Sequence, residues 1–422
     1  MREMKDSGFE WIGEIPVNWE VDKLKFHLKR NEPRNPGDTV VLSLYRELGV
    51  IPKDSRDDNH NVTSEDTSKY KYVQPGDFVI NKMKAWQGSV AVSEYEGIVS
   101  PAYFIYKFTD DAFYRRYFHY ILRSCYKDEF MRLSGGIRVG QWDLPSVALD
   151  NTAVIIPPMK EQKSIAAFLD VKCAEIDALT ADIQTQIDTL EQYKRSVITE
   201  AVTKGLNPDV EMKDSGTPWC PLIPIHWKYA NPKALFTQRL DRAYPGDKQL
   251  TASQEYGVIY QDEYMELTGT KIVTVMKDFS ILKHVEPNDF VISMRSFQGG
   301  LEYSERRGSI SSAYVMLIPN NEYVYPPFYR WFFKSSKYIN AIQSTSNLVR
   351  DGQAMRYANF AQVPLFIIPL DEQKQISEYL DEKVRKIDEI LKSKKSQLEI
   401  LAEYKKSLIY EYVTGKKEVP AI

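Results

Sequence analysis

Apolar residues in this chain follow two different rhythms. From Ile165 through Leu169, Cys173, Ile176, Leu179, Ile183, Ile187 and Leu190 to Val197 they step by threes and fours. From Ile376 through Leu380, Val384, Ile387, Leu391, Leu398 and Leu401 to Leu408 they do so again. That spacing keeps one face of an α-helix apolar, so each run predicts a helix of about 40 residues, roughly 60 Å long. Charged residues hold the opposite face, where Asp381 with Arg385 and Glu382 with Lys386 have favourable ion-pair spacing. Gly205 and then Pro208 end the first helix, and Gly415 ends the second. Ahead of each helix the rhythm changes. Short runs rich in Tyr, Phe, Val and Ile are broken by Pro-Gly, Gly and Asn, as where PGD precedes FVI at Phe78–Ile80. These are strand and turn signals, with a helical piece starting near Asp110 in the first half and near Pro326 in the second. A long helix with one apolar stripe cannot stand alone in water. The two stripes match position by position, which suits an antiparallel coiled coil within the chain. Packing of each helix on its own globular part is the alternative. Lys394, at the place in the second stripe that matches Ile183, weakens it locally.

The two halves are copies. MKDSGFEWIGEIPVNWE, from Met4, returns as MKDSGTPWCPLIPIHWK, from Met212. LGVI at Leu48 answers YGVI at Tyr256, and VQPGDFVINKMKAWQGS at Val73 answers VEPNDFVISMRSFQGG at Val285. IIPPMKEQKSI at Ile155 answers IIPLDEQKQI at Ile367. The offset stays near about 210 residues, so a whole unit is duplicated. The expected fold class is α+β: two tandem repeated α+β domains, 1–157 and 229–368, separated by two long helices, 158–205 and 369–415, forming an antiparallel coiled coil. Residues 206–228 are the linker and the repeated opening phrase.

Composition narrows the function by exclusion. A chain of 422 residues exceeds one ordinary domain, and 43% hydrophobic with 27% charged residues is the ordinary globular range. A net charge of −3 gives no global signal for nucleic acid, though an acidic face can mask a local basic groove. Cys125, Cys173 and Cys220 form no CxxC, which argues against a disulfide framework and a zinc site and for a reducing, cytoplasmic setting. The N-terminus lacks a signal-peptide core, and no run approaches 18 apolar residues, so no membrane association is expected. There is no GxGxxG, GxxxxGK or HExxH, and His27, His60, His119, His226 and His284 are scattered. YPPF at Tyr325–Phe328 resembles a methyltransferase loop, but tyrosine is a poor polar acceptor and the matching DDAF at Asp110 has no prolines. It reads as a helix start. No catalytic residue, no metal ligand and no cofactor are expected on this chain.

The tandem layout, the IPxxW opening, the GDFVI-to-QG segment and the IIPPMKEQKSIAAFLD helix start resemble the specificity subunit of Type I restriction-modification systems. The resemblance covers essentially the whole chain. It implies that each α+β part is a target recognition domain reading one half of a bipartite double-stranded DNA target. It implies helices that space the two domains and dock two copies of a DNA methyltransferase subunit, which would carry S-adenosylmethionine. It implies a further restriction subunit, a translocase and nuclease, and a non-catalytic role for this chain. A coiled-coil adaptor whose globular parts bind proteins is the alternative; a self-sufficient enzyme on nucleic acid would need the methyl-donor and catalytic motifs that are missing.

Two copies also sort the candidate contacts. Residues that read different half-sites should differ; residues that match should serve the fold, the DNA backbone or partners. Gln87 with Gln298, and Gly88 with Gly299, match and read as scaffold or backbone contacts, and Trp86 with Phe297 as core aromatics. Lys84 with Arg295, and Arg138 with Arg350, match in charge and are the phosphate candidates. Arg46 faces Gln254, just before the shared GVI: arginine suits guanine O6 and N7, glutamine suits adenine N6 and N7. Lys82, an insertion, and Arg356, which differs from the first copy, complete the base-reading candidates. For each of these a solvated surface role is the plain alternative.

Overall fold

The structure is a computed structural model that describes residues 2–37, 39–46, 48–55, 63–64, 66–136, 142–272, 279–294, 296–345 and 356–420. The chain divides into two compact units, Met1–Ile183 with Ser396–Ile422, and Gln184–Lys395. Each unit holds the α+β part of one repeat, part of the first long helix, Met159–Lys204, and part of the second, Leu370–Val413.

In the first unit Met4–Asp6 pairs antiparallel with Glu14–Pro16, so the repeated opening phrase is a hairpin. In the second, Met212–Asp214 and Leu222–Pro224 pair the same way. The chain leaves each hairpin through a fully buried tryptophan, Trp19 or Trp227. The Trp19 indole N–H donates to Glu161 Oε2 at 2.9 Å, and that of Trp227 to Glu372 Oε2 at 3.1 Å. Both glutamates open a long helix, and each is followed by a fully buried glutamine. The Gln162 amide donates to the carbonyls of Ala112 at 2.7 Å and Pro157 at 2.8 Å, while its Oε1 accepts from the Tyr114 N–H at 2.8 Å. Gln373 repeats this with Tyr323, Ile368 and the Tyr325 N–H, each at 2.8 Å. A buried amide is tolerated only when so paired.

These glutamines correct one reading. Asp110 does not start a helix. It pairs with the His27 Nδ1 at 2.7 Å, and the helix begins at Arg115, with the amide ahead of it held by Gln162. In the second copy the helix is Pro326–Phe332, with Tyr325 ahead of it and proline in its first turn, where a missing N–H costs nothing.

Each repeat is built on a four-stranded antiparallel sheet. The order is Leu28–Arg30, Tyr103–Phe108, Phe78–Asn81, Val90–Val92 in the first. In the second it is Phe236–Arg239, Val315–Pro319, Phe290–Ile292, Glu302–Tyr303. Successive side chains point to opposite faces. Phe78 and Ile80 therefore join the core made with the helices, while Val79 joins a second core under the hairpin of Leu42–Tyr45 and Gly49–Pro52. Phe290 with Ile292, and Val291, divide likewise. Both faces are covered, which is why FVI reads as an unbroken apolar run. The turn before it needs a left-handed residue: Gly76 has φ 91°, and Asn288, a residue that tolerates that region, has φ 76°.

The long helices run antiparallel within each unit. In the first, the Phe168 and Tyr412 rings lie 4.5 Å apart and Lys405 Nζ reaches Asp177 at 2.6 Å. In the second, Glu191 pairs with Lys395 at 3.6 Å and Lys194 with Asp388 at 2.6 Å. The numbering of one helix falls as that of the other rises. The helices also pack on the globular parts: Ile165, Leu169, Ile176, Leu408 and Tyr412 share the core of the first sheet. Coil and domain packing, taken as alternatives in the sequence, coexist. Leu179, placed on the apolar stripe, is 47% exposed, while Ile176 before it and Ile183 and Ile187 after it are buried. The expected Asp381–Arg385 pair is also replaced. Asp381 accepts from the Arg330 guanidinium and from the Trp331 indole, the latter at 2.7 Å, and Arg385 pairs with Glu389 at 2.6 Å. At the matching position Asp170 accepts from Arg116 Nε and the Tyr120 hydroxyl, both at 2.7 Å.

Behind the hairpin of the first repeat, the helix Arg115–Ser124 supplies a brace. A Cβ on Gly49 would lie 3.2 Å from His119 Cε1 and 3.5 Å from Arg123 Nη1, and Gly49 itself has φ 78°. His119 Nε2 accepts from Arg123 at 2.8 Å. Burial, with Arg123 and Arg116 alongside, pushes the imidazole down to about 3, so it stays neutral. Between about pH 6.5 and 3 the unfolded chain binds a proton that the folded chain refuses. Stability from this group is thus complete above 6.5 and falls as pH drops, by about 1.4 kcal/mol per pH unit at most. The variant His119→Gln should flatten the pH dependence of stability in that window, measured by urea unfolding from pH 7 to 4; an unchanged slope would contradict the neutral brace. The Gln162→Leu variant strands two carbonyls and one amide. It should lower stability by about 3 kcal/mol, read as a drop in the urea midpoint. A loss below about 0.5 kcal/mol would show that the latch is dispensable.

Candidate nucleic-acid interface

The strand Phe78–Asn81 ends at a polar turn. Asn81 Oδ1 accepts from the Met83 N–H at 3.2 Å, and the Asn81 carbonyl accepts from the Lys84 N–H at 2.9 Å. The chain then makes one helical turn, Ala85–Gln87, anchored by fully buried Ala85 and ended by Gly88 at φ 85°. This geometry leaves Met83 and Lys84 exposed. Trp86 is half-buried, donates its indole N–H to the Met83 carbonyl at 3.1 Å, and packs against Trp142 with ring centres 5.3 Å apart. It is therefore a surface aromatic on the turn rather than a core residue.

The adjacent hairpin, Leu42–Tyr45 with Gly49–Pro52, brings its tip to the same turn. Arg46 is exposed there, and its guanidinium donates to Gln87 Oε1. Arg46 and Lys84, chosen from opposite arguments, thus border one turn. Lys82 sits at its rear, half-buried and paired with Asp143 at 2.8 Å. A base-reading Lys82 would first have to leave that carboxylate.

The second repeat places its elements in the same order. The hairpin Leu250–Ser253 with Gly257–Tyr260 ends at Gln254, and a shared left-handed glycine, Gly257 at φ 67°, begins the return strand. The turn after Phe290–Ile292 is the short helix Ser296–Gly299, with Ser296 Oγ accepting from the Ser293 N–H at 2.8 Å. Gln254 lies directly on it. A Cβ on Gly299 would stand 2.5 Å from both Cδ and Nε2 of Gln254. Met294 is exposed beside it, as Met83 is in the first repeat.

Other candidates stand apart. Arg356 is exposed just before the helix Tyr357–Phe360, with its amide donating to Asn359 Oδ1 at 3.0 Å; Pro145 holds the corresponding place before Ser146–Asp150. Arg138, Arg295 and Arg350 lie outside the described residues, as does the side chain of Phe297. The segment after the second hairpin, which the sequence analysis assigns to no element, forms a helix, Gln261–Thr268, ended by Gly269 at φ 65°. The Gly after Thr268 was its one sequence signal. Sequence reasoning also missed that the matched Gln-Gly pair meets the differing hairpin residue, since that contact is not local in sequence. Among the described residues no group of His, Cys, Asp and Glu could hold a metal ion, and no helix is long and apolar enough to cross a membrane.

Residues 16–189 match the family model of the Type I restriction modification DNA specificity domain. A Methanocaldococcus jannaschii protein assigned as the MjaX type I restriction enzyme specificity subunit is 23% identical over 431 residues, covering 97% of this chain and 96% of the relative. The EcoBI type I restriction enzyme specificity subunit of Escherichia coli is 22% identical over 320 residues, covering 73% of this chain and 66% of the relative. A chain from the solved structure described as the basis of complex assembly and conformational transition of the type I R-M system superposes with a TM-score of 0.69. It is 12% identical, and the match covers 96% of this chain and 99% of that one. The HsdS subunit of Thermoanaerobacter tengcongensis superposes with a TM-score of 0.51 at 13% identity, covering 96% and 98%. At such identities these two speak for the fold alone, and they share it along nearly the full length. Residues 16–189 thus carry a Type I restriction modification DNA specificity domain, the second repeat duplicates it, and the chain is similar over nearly its full length to a type I specificity subunit.

Proposed function

We propose that this chain is the DNA-reading, non-catalytic subunit of a Type I restriction-modification complex, each repeat reading one half of a bipartite double-stranded DNA target. The supporting observation is a duplicated arrangement with a different residue at its tip. In each repeat a hairpin rests on a Gln-Gly turn, with Arg46 presented in the first and Gln254 in the second. Arginine and glutamine are the side chains suited to guanine and adenine respectively. Lys84, exposed on the first turn, is the phosphate contact in this reading, and Arg295 is its match in the second repeat by sequence. Arg138 and Arg350 remain phosphate candidates, and Lys82 and Arg356 base-reading candidates, on the sequence argument. Phosphate contacts would hold register while the hairpin tips carry the specificity.

Specificity subunits are in general non-catalytic. The methyl donor, S-adenosylmethionine, would be held by two methyltransferase subunits docked along the long helices, and a restriction subunit would complete the complex, in the cytoplasm. Affinity shared with such partners fits a chain whose own net charge is only −3.

The test is a methylation map. The chain is co-expressed with its neighbouring methyltransferase gene in a host without adenine methylation, and the DNA is sequenced by a modification-sensitive method. A gapped two-part motif, modified on both strands, is the expected result. A stable complex that leaves no modified motif and binds no duplex would contradict the reading and favour a protein-protein adaptor.

A further inference from the structure

The matched Gln-Gly pair was expected to serve the scaffold or the DNA backbone. The structure shows it touching a side chain that differs between the copies. In the first repeat Gln87 Oε1 accepts from Arg46. In the second the Gln254 amide lies on Gly299, so closely that a methyl group there would collide with it. The contacts differ in kind but share one consequence: each hairpin-tip side chain is held against the turn before any ligand arrives.

We propose that the Gln-Gly turn is the positioning element of each reading site, with Gln87 orienting the Arg46 guanidinium toward guanine in the first half-site and Gly299 giving the Gln254 amide its seat for adenine in the second. This rests on the DNA-reading function proposed above. An exposed arginine samples many rotamers, and fixing it on DNA costs that freedom. A single acceptor on one terminal nitrogen restricts it beforehand and leaves the rest of its donors for the guanine edge. Glutamine suits this role because its oxygen accepts without the charge that would bind the guanidinium as an ion pair and compete with DNA. For Gln254 the restraint is steric. Glycine at position 299 leaves room for the amide to lie flat on the turn. The backbone there is helical and not left-handed, so space is the reason for glycine.

This gives an unusually clean variant. Gly299→Ala fits the backbone, and what its methyl meets is the far end of a flexible side chain, so the reader moves and the fold does not. The experiment uses the full chain assembled with its methyltransferase. Equilibrium binding is measured to duplexes carrying each base change across the mapped target, and the readout is the ratio of affinities between correct and changed base pairs. Gly299→Ala should cut discrimination about tenfold at one position of the second half-site, the same position relaxed by Gln254→Ala, and leave the first half-site alone. Gln87→Ala should relax, several-fold, the one first-half position that Arg46→Ala abolishes, and the double variant should be no worse than Arg46→Ala. Gln87→Glu offers a carboxylate that competes with guanine for the guanidinium, and should relax discrimination at that same first-half position. Ratios unchanged in Gly299→Ala and Gln87→Ala, or affinity lost equally for every sequence, would overturn the positioning role. A wild-type complex that binds all duplexes alike would instead overturn the DNA-reading function itself.

Discussion

Everything in each unit converges on one buried contact, the Glu-Gln pair that opens a long helix. Glu161 receives the tryptophan of the opening hairpin, and Gln162 ties the loop ahead of the helix Arg115–Ser124 and the Pro157 carbonyl to the same turn. Three separate segments are fixed to a helix, two of them by a glutamine amide shut off from water. The loss of any one leaves a buried polar atom unpaired, which costs more than an ordinary contact. Glu372 and Gln373 repeat the joint with its own tryptophan and its own loop. The repeated phrase at Met4 and Met212 is thus explained by packing: each globular part needs its own tryptophan to lock its own helix.

From that joint outward, rigidity is passed to the surface. The long helix carries the globular part through Asp170 or Asp381, the sheet rests on the helix through alternate residues, and the hairpin rests on the opposite face of the sheet. At the tip of that hairpin the repeats present different chemistry, Arg46 in one and Gln254 in the other. A duplicated scaffold with divergent tips suits a protein that must present two different side chains to one kind of partner. Each tip presents its one side chain against a Gln-Gly turn.

Much of this was legible in the chain because repetition compensates for the lack of other information. Helical spacing from Ile165 to Val197 and the alternation hidden in FVI are local patterns, and local patterns survive in one sequence. The matched and differing positions at Arg46 and Gln254 singled out the hairpin tip without any coordinates. What stayed hidden was non-local. Gln162 looked like one polar residue in an amphipathic helix, yet it is fully buried, because its partners come from residues 112, 114 and 157. Leu179 fitted the stripe and is 47% exposed although Ile183 and Ile187 beyond it are buried, since periodicity reports a face but not which of its positions are covered. Asp381 looked paired along its own helix and instead holds Arg330 and Trp331, two consecutive donors of the globular part that are far from it in sequence. The helix Gln261–Thr268 went unread because it is short and none of its residues is buried, so Tyr264, Met265 and Leu267 do not build a helical stripe long enough to count.

The central claim is that each repeat is an independent reader mounted on the same frame. The most direct measurement replaces residues 21–157 by residues 229–368, so that both positions carry the second reader, and maps methylation in cells that supply the methyltransferase. The account predicts that the two halves of the modified motif become the same half-site, with the original second half unchanged. A motif that keeps its original first half, or changes in both halves at once, would contradict it.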